Sequence, residues 1–380
     1  MDRIKKWFPV VIFCVIIFGL TGLGLTAEER TYSSAEKREL QTMPKVKAKT
    51  IMNGKFQKKY ETYLSDQFPG RDDWVQLQTF VSRLFGKTES NGVYFGKDNY
   101  LLEHYDASDF EEERMQMNIE ALAEFARRAE KKADVKVMLV PTKTWVMQDK
   151  LPAFAPTYDE QSFFDALEQQ FGDESSQILI PVAQVLQEHR EENIYYRTDH
   201  HWTTFGAWYG YCAYVEAMSG NSGQAAKKQQ ALDLVCTDFY GTTYAKVRQA
   251  AQADEIYVYE PEATLEIVYN MGEKITQTLY ETEYLDSEDQ YRVFEGGNQA
   301  VLEISGGAEN GKTLLLIKDS FANCMLPFLV EDFEKIVVVD LRQLNIGCDA
   351  LMDMFAPTDV LVLYNSAQFA ADRDFAMKCS

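Results

Sequence analysis

A chain of 380 residues with 46% hydrophobic and 13% aromatic side chains can bury a sizeable core, which excludes global disorder and allows one large domain or two. Its formal net charge of −21 repels phosphate backbones and argues against general nucleic-acid binding. Acidity alone names no partner.

The chain opens on MDRIKKWFPVVIFCVIIFGLTGLGLTAEER. Arg3, Lys5 and Lys6 precede an uncharged run from Trp7 to Ala27. A run of that length spans a bilayer as a helix, which needs ~20 apolar residues. The basic flank stays cytoplasmic, so the chain after Glu28 is expected outside. Leu25-Thr26-Ala27 is a poor cleavage site and no lipobox-like cysteine follows, which favours an uncleaved signal anchor over residues 1–27 and leaves secretion after cleavage as the alternative. Residues 28–50 are polar, lack an apolar stripe and read as a tether.

From residue 51 to 380 the pattern is that of one α/β domain. A helical stretch runs from Phe56 to about Phe85, NGVYFGKDNYLLE (91–103) reads as a small hairpin, and residues 109–133 form an amphipathic helix. VKVMLVP (135–141) follows as a buried strand. FFDALEQQFG is a further helix and QILIPVAQVLQEH a short strand and helix, after which residues 204–218 are helical. Residues 230–305 turn β-rich and read as an insertion or lobe on the main sheet. Then KTLLLIKDS, KIVVVDLR and DVLVLYNS alternate with helices, the mark of parallel strands with crossovers. Six cysteines are present; Cys14 lies in the apolar run and the other five show no CxxC spacing, so one or two bridges are possible but none is assignable.

The chemistry concentrates in RTDHHWTTFGAW, residues 197–208. In an extended segment the i, i+2 spacing puts Asp199 and His201 on one face, where the acid fixes the tautomer of the imidazole and leaves its other nitrogen as a base. Thr203 or Thr204 is a natural cap for the helix that follows. An Asp-x-His at a helix start is also a common capping network. A metal site is the weaker alternative, because adjacent His200 and His201 face opposite ways and only His104 and His189 remain. A base needs a nucleophile, and Ser320 stands where the strand of LLLIKDSFANCMLPFL ends and a helix begins, the edge at which α/β folds place their sites. Its backbone N–H at a helix start suits an oxyanion. A serine there is equally common as a plain cap.

TDHHWT followed by Phe-Gly-Ala resembles the signature of the DHHW family, in the SGNH-hydrolase superfamily, and is similar to the periplasmic alginate O-acetylation proteins, in which Asp-x-His precedes the serine. AEKREL (35–40), LSDQFPGRDDW (64–74), NGVYFGKDNYLLE, LVPTKT (139–144), DFYGTTY (238–244) and IKDSFANCMLPFL fit the same pattern in order. The resemblance implies an SGNH-like parallel sheet with flanking helices. It implies Asp199 as orienting acid, His201 as base, Ser320 as nucleophile and Asn365 as oxyanion donor, with Lys143 and Tyr240 as cleft residues and His200 and Trp202 as packing or supporting residues. It departs at Lys318, where a glycine is usual. The implied activity is O-acetylation of an exported polysaccharide or wall polymer through a serine acyl-enzyme. It needs no cofactor or metal, and a multi-pass membrane O-acyltransferase partner would supply the acyl group. A carbohydrate esterase with the same triad and a non-catalytic glycan-binding or assembly scaffold are the alternatives.

Overall fold

The structure, a computed structural model, describes residues 2–33, 38–219, 228, 231–249 and 252–380. Two compact units are present: one runs to Lys87 and includes Ala245–Gln249, the other holds Thr88–Tyr244 and the chain after Gln249. The sheet-bearing unit therefore begins at Thr88 rather than at residue 51.

In the first unit an unbroken helix covers Asp2–Thr26. Trp7–Gly24 within it is apolar enough to cross a membrane and is unburied. The stretch read as a tether carries a short antiparallel pair, Tyr32–Ser33 with Arg38–Glu39, and a helix at Ala48–Met52. The helical stretch after it is two helices, Lys55–Asp66 and Arg71–Leu84. Pro69 and Gly70 divide them, and Gly70 takes φ 66, a conformation that favours glycine.

The second unit opens with a small antiparallel sheet of Glu89–Ser90, Val93–Phe95 and Leu101–Glu103. Nine further strands are described after it: β1 (Asp134–Val140), β2 (Leu232–Phe239), β3 (Asp254–Tyr259), β4 (Glu266–Tyr269), β5 (Lys274–Thr276), β6 (Val301–Ser305), β7 (Thr313–Lys318), β8 (Lys335–Val339) and β9 (Asp359–Asn365). Seven of them form one sheet in the order β5-β4-β6-β8-β7-β9-β1. β8, β7, β9 and β1 are parallel, as their short branched runs predict. The β-rich stretch is not a separate lobe. β4, β5 and β6 extend the main sheet as its antiparallel edge, and only β2 and β3 stand apart as a two-stranded pair. Antiparallel strands at the edge of a parallel sheet are common in α/β folds.

The strand alternation divides the core into two layers. Met138, Leu314, Leu316, Val338 and Leu363 face one layer, shared with Trp202, Tyr211 and Phe328. Val137, Leu315, Ile317, Val337 and Val362 face the other, covered by α1 (Glu112–Ala129) and the helix Gln161–Phe171. The helix α2 (Thr204–Ser219) belongs to the first layer. α3 (Cys348–Phe355) and α4 (Ser366–Ala371) cover the second, where Cys348 and Cys379 form a disulfide.

After β7 the chain goes to β8 on one side, then crosses back to β9 on the other. That reversal opens a crevice at the carboxyl ends of β7 and β9, the usual ligand position in such sheets.

Because both faces of β7 are buried, Leu315→Ala and Leu316→Ala, neighbours in one strand, should each cost about 2–5 kcal/mol by urea unfolding. A sheet covered on one side only would tolerate one of the two.

Candidate active site

The Asp199–His201 pair meets Ser320, 119 residues further along the chain, at the crevice. His201 Nε2 lies 2.8 Å from Ser320 Oγ, and His201 Nδ1 lies 2.5 Å from Asp199 Oδ1. The Asp199–His201 contact does not arise from a strand. The segment is a series of bends, and the His201 backbone N–H also donates to Asp199 Oδ1 at 3.0 Å. That is a turn closed by the aspartate on its own backbone two residues on, a conformation short polar side chains favour.

Several groups hold the turn. The Lys143 ammonium is buried and donates to the carbonyls of Tyr196 (3.1 Å) and Asp199 (2.6 Å). Asp254 accepts from the Arg197 N–H (2.9 Å), the Thr198 N–H (2.7 Å) and the Thr198 hydroxyl (2.6 Å). Trp202 donates its indole N–H to the Phe321 carbonyl at 2.7 Å, tying the His201 segment to the residue after the serine. Thr203 accepts from the Gly206 N–H at 3.2 Å and so caps α2, as its sequence position suggests.

DFYGTTY supplies the second oxygen of the acid. Thr242 donates from its N–H (2.6 Å) and its hydroxyl (2.8 Å) to Asp199 Oδ2. A Cβ on Gly241 would stand 2.2 Å from the Cβ of Asp199, so only glycine fits there. Tyr291 stacks on the His201 ring with centroids 4.0 Å apart and planes 9° from parallel.

Ser320 is left free by its neighbour. Asp319, not Ser320, caps the short helical turn Ser320–Ala322: its Oδ1 accepts from the Phe321 N–H at 2.8 Å, and its Oδ2 accepts from the Asn365 N–H at 2.8 Å. The Ser320 hydroxyl is therefore available to the imidazole. Its N–H opens the turn, where the turn itself offers no partner.

Burial and the neighbouring His200 push the pKa of His201 down to about 4, against the opposing pull of Asp199. The imidazole is neutral near pH 7, the state a general base needs. Burial raises Asp199, but the two imidazoles and the hydrogen bonds outweigh it and hold the acid well below its ordinary value of 3.8.

Three further residues expected at the cleft make these contacts. The Asn365 amide donates to the Val140 carbonyl at 3.1 Å and its oxygen accepts from the Gln368 N–H at 3.3 Å, so the side chain caps α4 and ties β9 to β1. Lys143 lies beneath the His201 segment and does not line a cleft. Tyr240 rests against the Tyr244 ring with centroids 4.6 Å apart. Lys318 does not stand in the approach to the serine either. It is wholly buried, donating to Asn323 (2.5 Å) and Asn298 (3.2 Å), with Glu295 at 3.8 Å.

Asp199, His200 and His201 bring possible metal-ligand atoms within 4.8 Å of one another. Both ring nitrogens of His201 are engaged, one by Asp199 and the other by Ser320, so the histidine bridges acid and hydroxyl and does not converge with His200 on a common point. Sequence reasoning missed Thr242, Tyr291, Asp254 and Asp319. The Gly-Thr pair inside DFYGTTY was the available signal for the first.

An α/β unit that brings an Asp, a His and a Ser, in this chain order, together at the carboxyl end of a parallel strand is the class that fold and site define. The sequence profile of the DHHW protein family matches residues 103–339, more than half of the chain, and the protein belongs to that family. It is 31% identical over 218 residues to a probable alginate O-acetylase AlgJ of Pseudomonas syringae pv. tomato, a match covering 54% of this chain and 51% of that protein. The chain thus spans about half the length of the curated relatives it matches. Among solved structures, a DHHW family protein from Eubacterium siraeum is similar with a TM-score of 0.63 and 22% identity, covering 76% of this chain and 96% of that one. Bacillus cereus PatB1 with a sulfonyl adduct is similar with a TM-score of 0.57 and 21% identity, over 73% and 95%. These two likenesses concern the fold.

Gly241→Ala should displace the Asp199 carboxylate and lower turnover at least as far as Asp199→Asn does, while unfolding by circular dichroism shows the α/β unit intact. Glu160 and Glu295 give a second expectation. Burial lifts the pKa of each from 4.5 to about 7. The folded state holds these protons longer than the unfolded one, so the associated stability is complete below pH 4.5 and is lost as pH rises through 7. Urea titrations across that range should show the fall, and Glu295→Gln should remove the Glu295 part of it and leave that of Glu160.

Proposed function

We propose that this protein is an extracytoplasmic O-acyltransferase that carries an acetyl group on Ser320 and delivers it to a hydroxyl of a cell-envelope or exported polysaccharide. The observation that carries this reading is the relay itself: a serine hydroxyl freed from capping, 2.8 Å from a neutral imidazole whose other nitrogen is held by a buried carboxylate.

In this mechanism His201 Nε2 takes the Ser320 proton as Oγ bonds to the carbonyl carbon of an acetyl ester or thioester. The Ser320 N–H faces the developing oxyanion, and removing one such donor costs ~2.7–4 kcal/mol of barrier in comparable sites. His201 then returns the proton to the leaving oxygen or sulfur. The acceptor hydroxyl next gives its proton to His201 and attacks the Ser320 ester, and His201 returns that proton to the departing Ser320 Oγ, releasing the acetylated sugar, the free serine and the neutral imidazole. Asp199 stabilises the imidazolium in both halves.

The polysaccharide assignment is supported by the likeness to the curated relative, which is named as a probable alginate O-acetylase. The extracytoplasmic assignment is supported by the apolar Trp7–Gly24 helix behind a basic flank and by the Cys348–Cys379 bridge, which suits an oxidising compartment. Outside the membrane there is no acetyl-CoA, so a membrane-embedded O-acyltransferase is the proposed source of the acyl group.

The test is acetyl transfer from a chromogenic acetyl ester to oligosaccharide acceptors, followed by mass spectrometry. Wild type should transfer, and Ser320→Ala and His201→Ala should abolish transfer. Acetate release with no transfer to any glycan would make the protein an esterase. Cellular function that survives Ser320→Ala would make it a scaffold. Two further expectations follow from the site. Asp199→Asn should reduce kcat by about 10⁴, as the loss of the orienting acid does in serine hydrolases. The acid limb of kcat/KM should fall near pH 4 rather than near the 6.5 of a free imidazole, because burial keeps His201 neutral.

A further inference from the structure

The helix Arg71–Leu84 is amphipathic in the wrong sense for a soluble protein. Trp74, Leu77, Val81 and Leu84, spaced i, i+3, i+7 and i+10, share one face. That face is open: Trp74 is 47% exposed and Leu84 72%, while Thr79 on the opposite side is wholly buried. Apolar helix faces normally turn inward. An exposed apolar patch of this kind marks a binding surface.

Two observations within the same compact unit say what covers it. First, the patch is continuous with the apolar N-terminal helix: Leu20 lines one groove together with Phe68, Trp74, Leu77 and Val81. The corner between the two helices is fastened to the chain leaving that helix, since Gln67 accepts from the Arg30 N–H at 2.9 Å and donates to its carbonyl at 2.8 Å. Second, the charge is inverted locally. Lys45, Lys47, Lys49, Lys55, Lys58 and Lys59 fall in fifteen residues without one acid, in a chain of net charge −21, and all six are exposed. On the helix Lys55–Asp66 these lysines flank a stack of Phe56, Tyr60 and Tyr63. Aromatic side chains among lysines are the composition of a helix lying in the headgroup layer.

We propose that the helix pair Lys55–Asp66 and Arg71–Leu84 is an interfacial foot. It seats its apolar face in the outer leaflet of the bilayer that the N-terminal helix crosses, with the lysine row on anionic headgroups. The proposal rests on the reading of Trp7–Gly24 as a membrane span. The foot would fix the height of the anchored chain above the membrane, where a single helix and a flexible tether would not.

The full chain, reconstituted in vesicles of phosphatidylcholine and phosphatidylglycerol with brominated acyl chains, tests this by tryptophan quenching. Of the five tryptophans, Trp145, Trp202 and Trp208 are buried in the other unit, which leaves Trp7 and Trp74 to meet lipid. Trp7→Phe reports the anchor and Trp74→Phe the foot. The expected result is that each substitution removes about half of the quenching, and that added salt weakens the Trp74 part while sparing the Trp7 part. Quenching unchanged by Trp74→Phe would mean that protein or water covers the face and overturns the foot while the anchor stands. Quenching absent from both would overturn the span and the foot together. A Trp74 part indifferent to salt would overturn the role given to the lysines.

Discussion

Everything at this site depends on where one carboxylate can stand. Asp199 is buried, and a buried charge is costly unless it is paired and hydrogen-bonded. Four donors meet it: the N–H and Nδ1 of His201 on one oxygen, the N–H and hydroxyl of Thr242 on the other. The second pair reaches it only because Gly241 has no side chain, since any Cβ would overlap that of Asp199. The imidazole is in turn held by that carboxylate on its edge and by Tyr291 on its face. Burial makes His201 a weak base in the resting state, while the anion beside it stabilises the imidazolium formed as the serine proton arrives. The barrier is lowered where charge develops and not in the ground state.

The serine is made available by a division of labour between neighbours. Asp319 satisfies the Phe321 N–H and also draws in the Asn365 N–H, so one carboxylate caps the turn and links the ends of β7 and β9. Glu160 does the same for the adjacent strand ends. It accepts from the Thr142 N–H at 3.0 Å and the Ser366 hydroxyl at 2.7 Å, which fixes the short helix bearing Lys143 beneath the Asp199 carbonyl. Lys318 follows the alternation of β7 into the layer of Leu314 and Leu316, where Glu295 offers it a charge whose oxygens have no hydrogen-bond partner. Both partners are wholly inside, so their pairing offsets desolvation more than it adds stability.

The parallel core was legible because β1, β7, β8 and β9 are buried on both faces and spell continuous apolar runs. The antiparallel edge was not. β6 pairs with β8, over thirty residues away, and nothing local in either strand records that partner. Asp199, His201 and Ser320 could be picked out as a candidate set because their order and spacing are distinctive, and the structure brings the three together. Their supports could not be picked out. Thr242 acts through a backbone approach that a glycine permits, whose partner no local pattern around it records. The capping role of Asn365 was readable from its own sequence: an asparagine directly before Ser-Ala-Gln is a helix cap.

In the proposed reaction, transfer and hydrolysis share the first half, so nothing in the relay separates them. The choice is made at the Ser320 ester, where a sugar hydroxyl competes with water for the same neutral imidazole. Water is concentrated and needs no binding. A hydroxyl wins only if it is held in line with the ester carbonyl, where effective molarities reach ~10⁵–10⁸ M in well-oriented systems. His201 is almost fully buried and Ser320 only partly exposed, so bulk water reaches the ester from a restricted direction, and a polymer lying across that opening would displace it. Acceptor binding is then the origin of transfer as well as of specificity. Under the proposed reaction, the residues lining the approach to Ser320 decide what receives the acyl group, and the triad decides only that it is taken up.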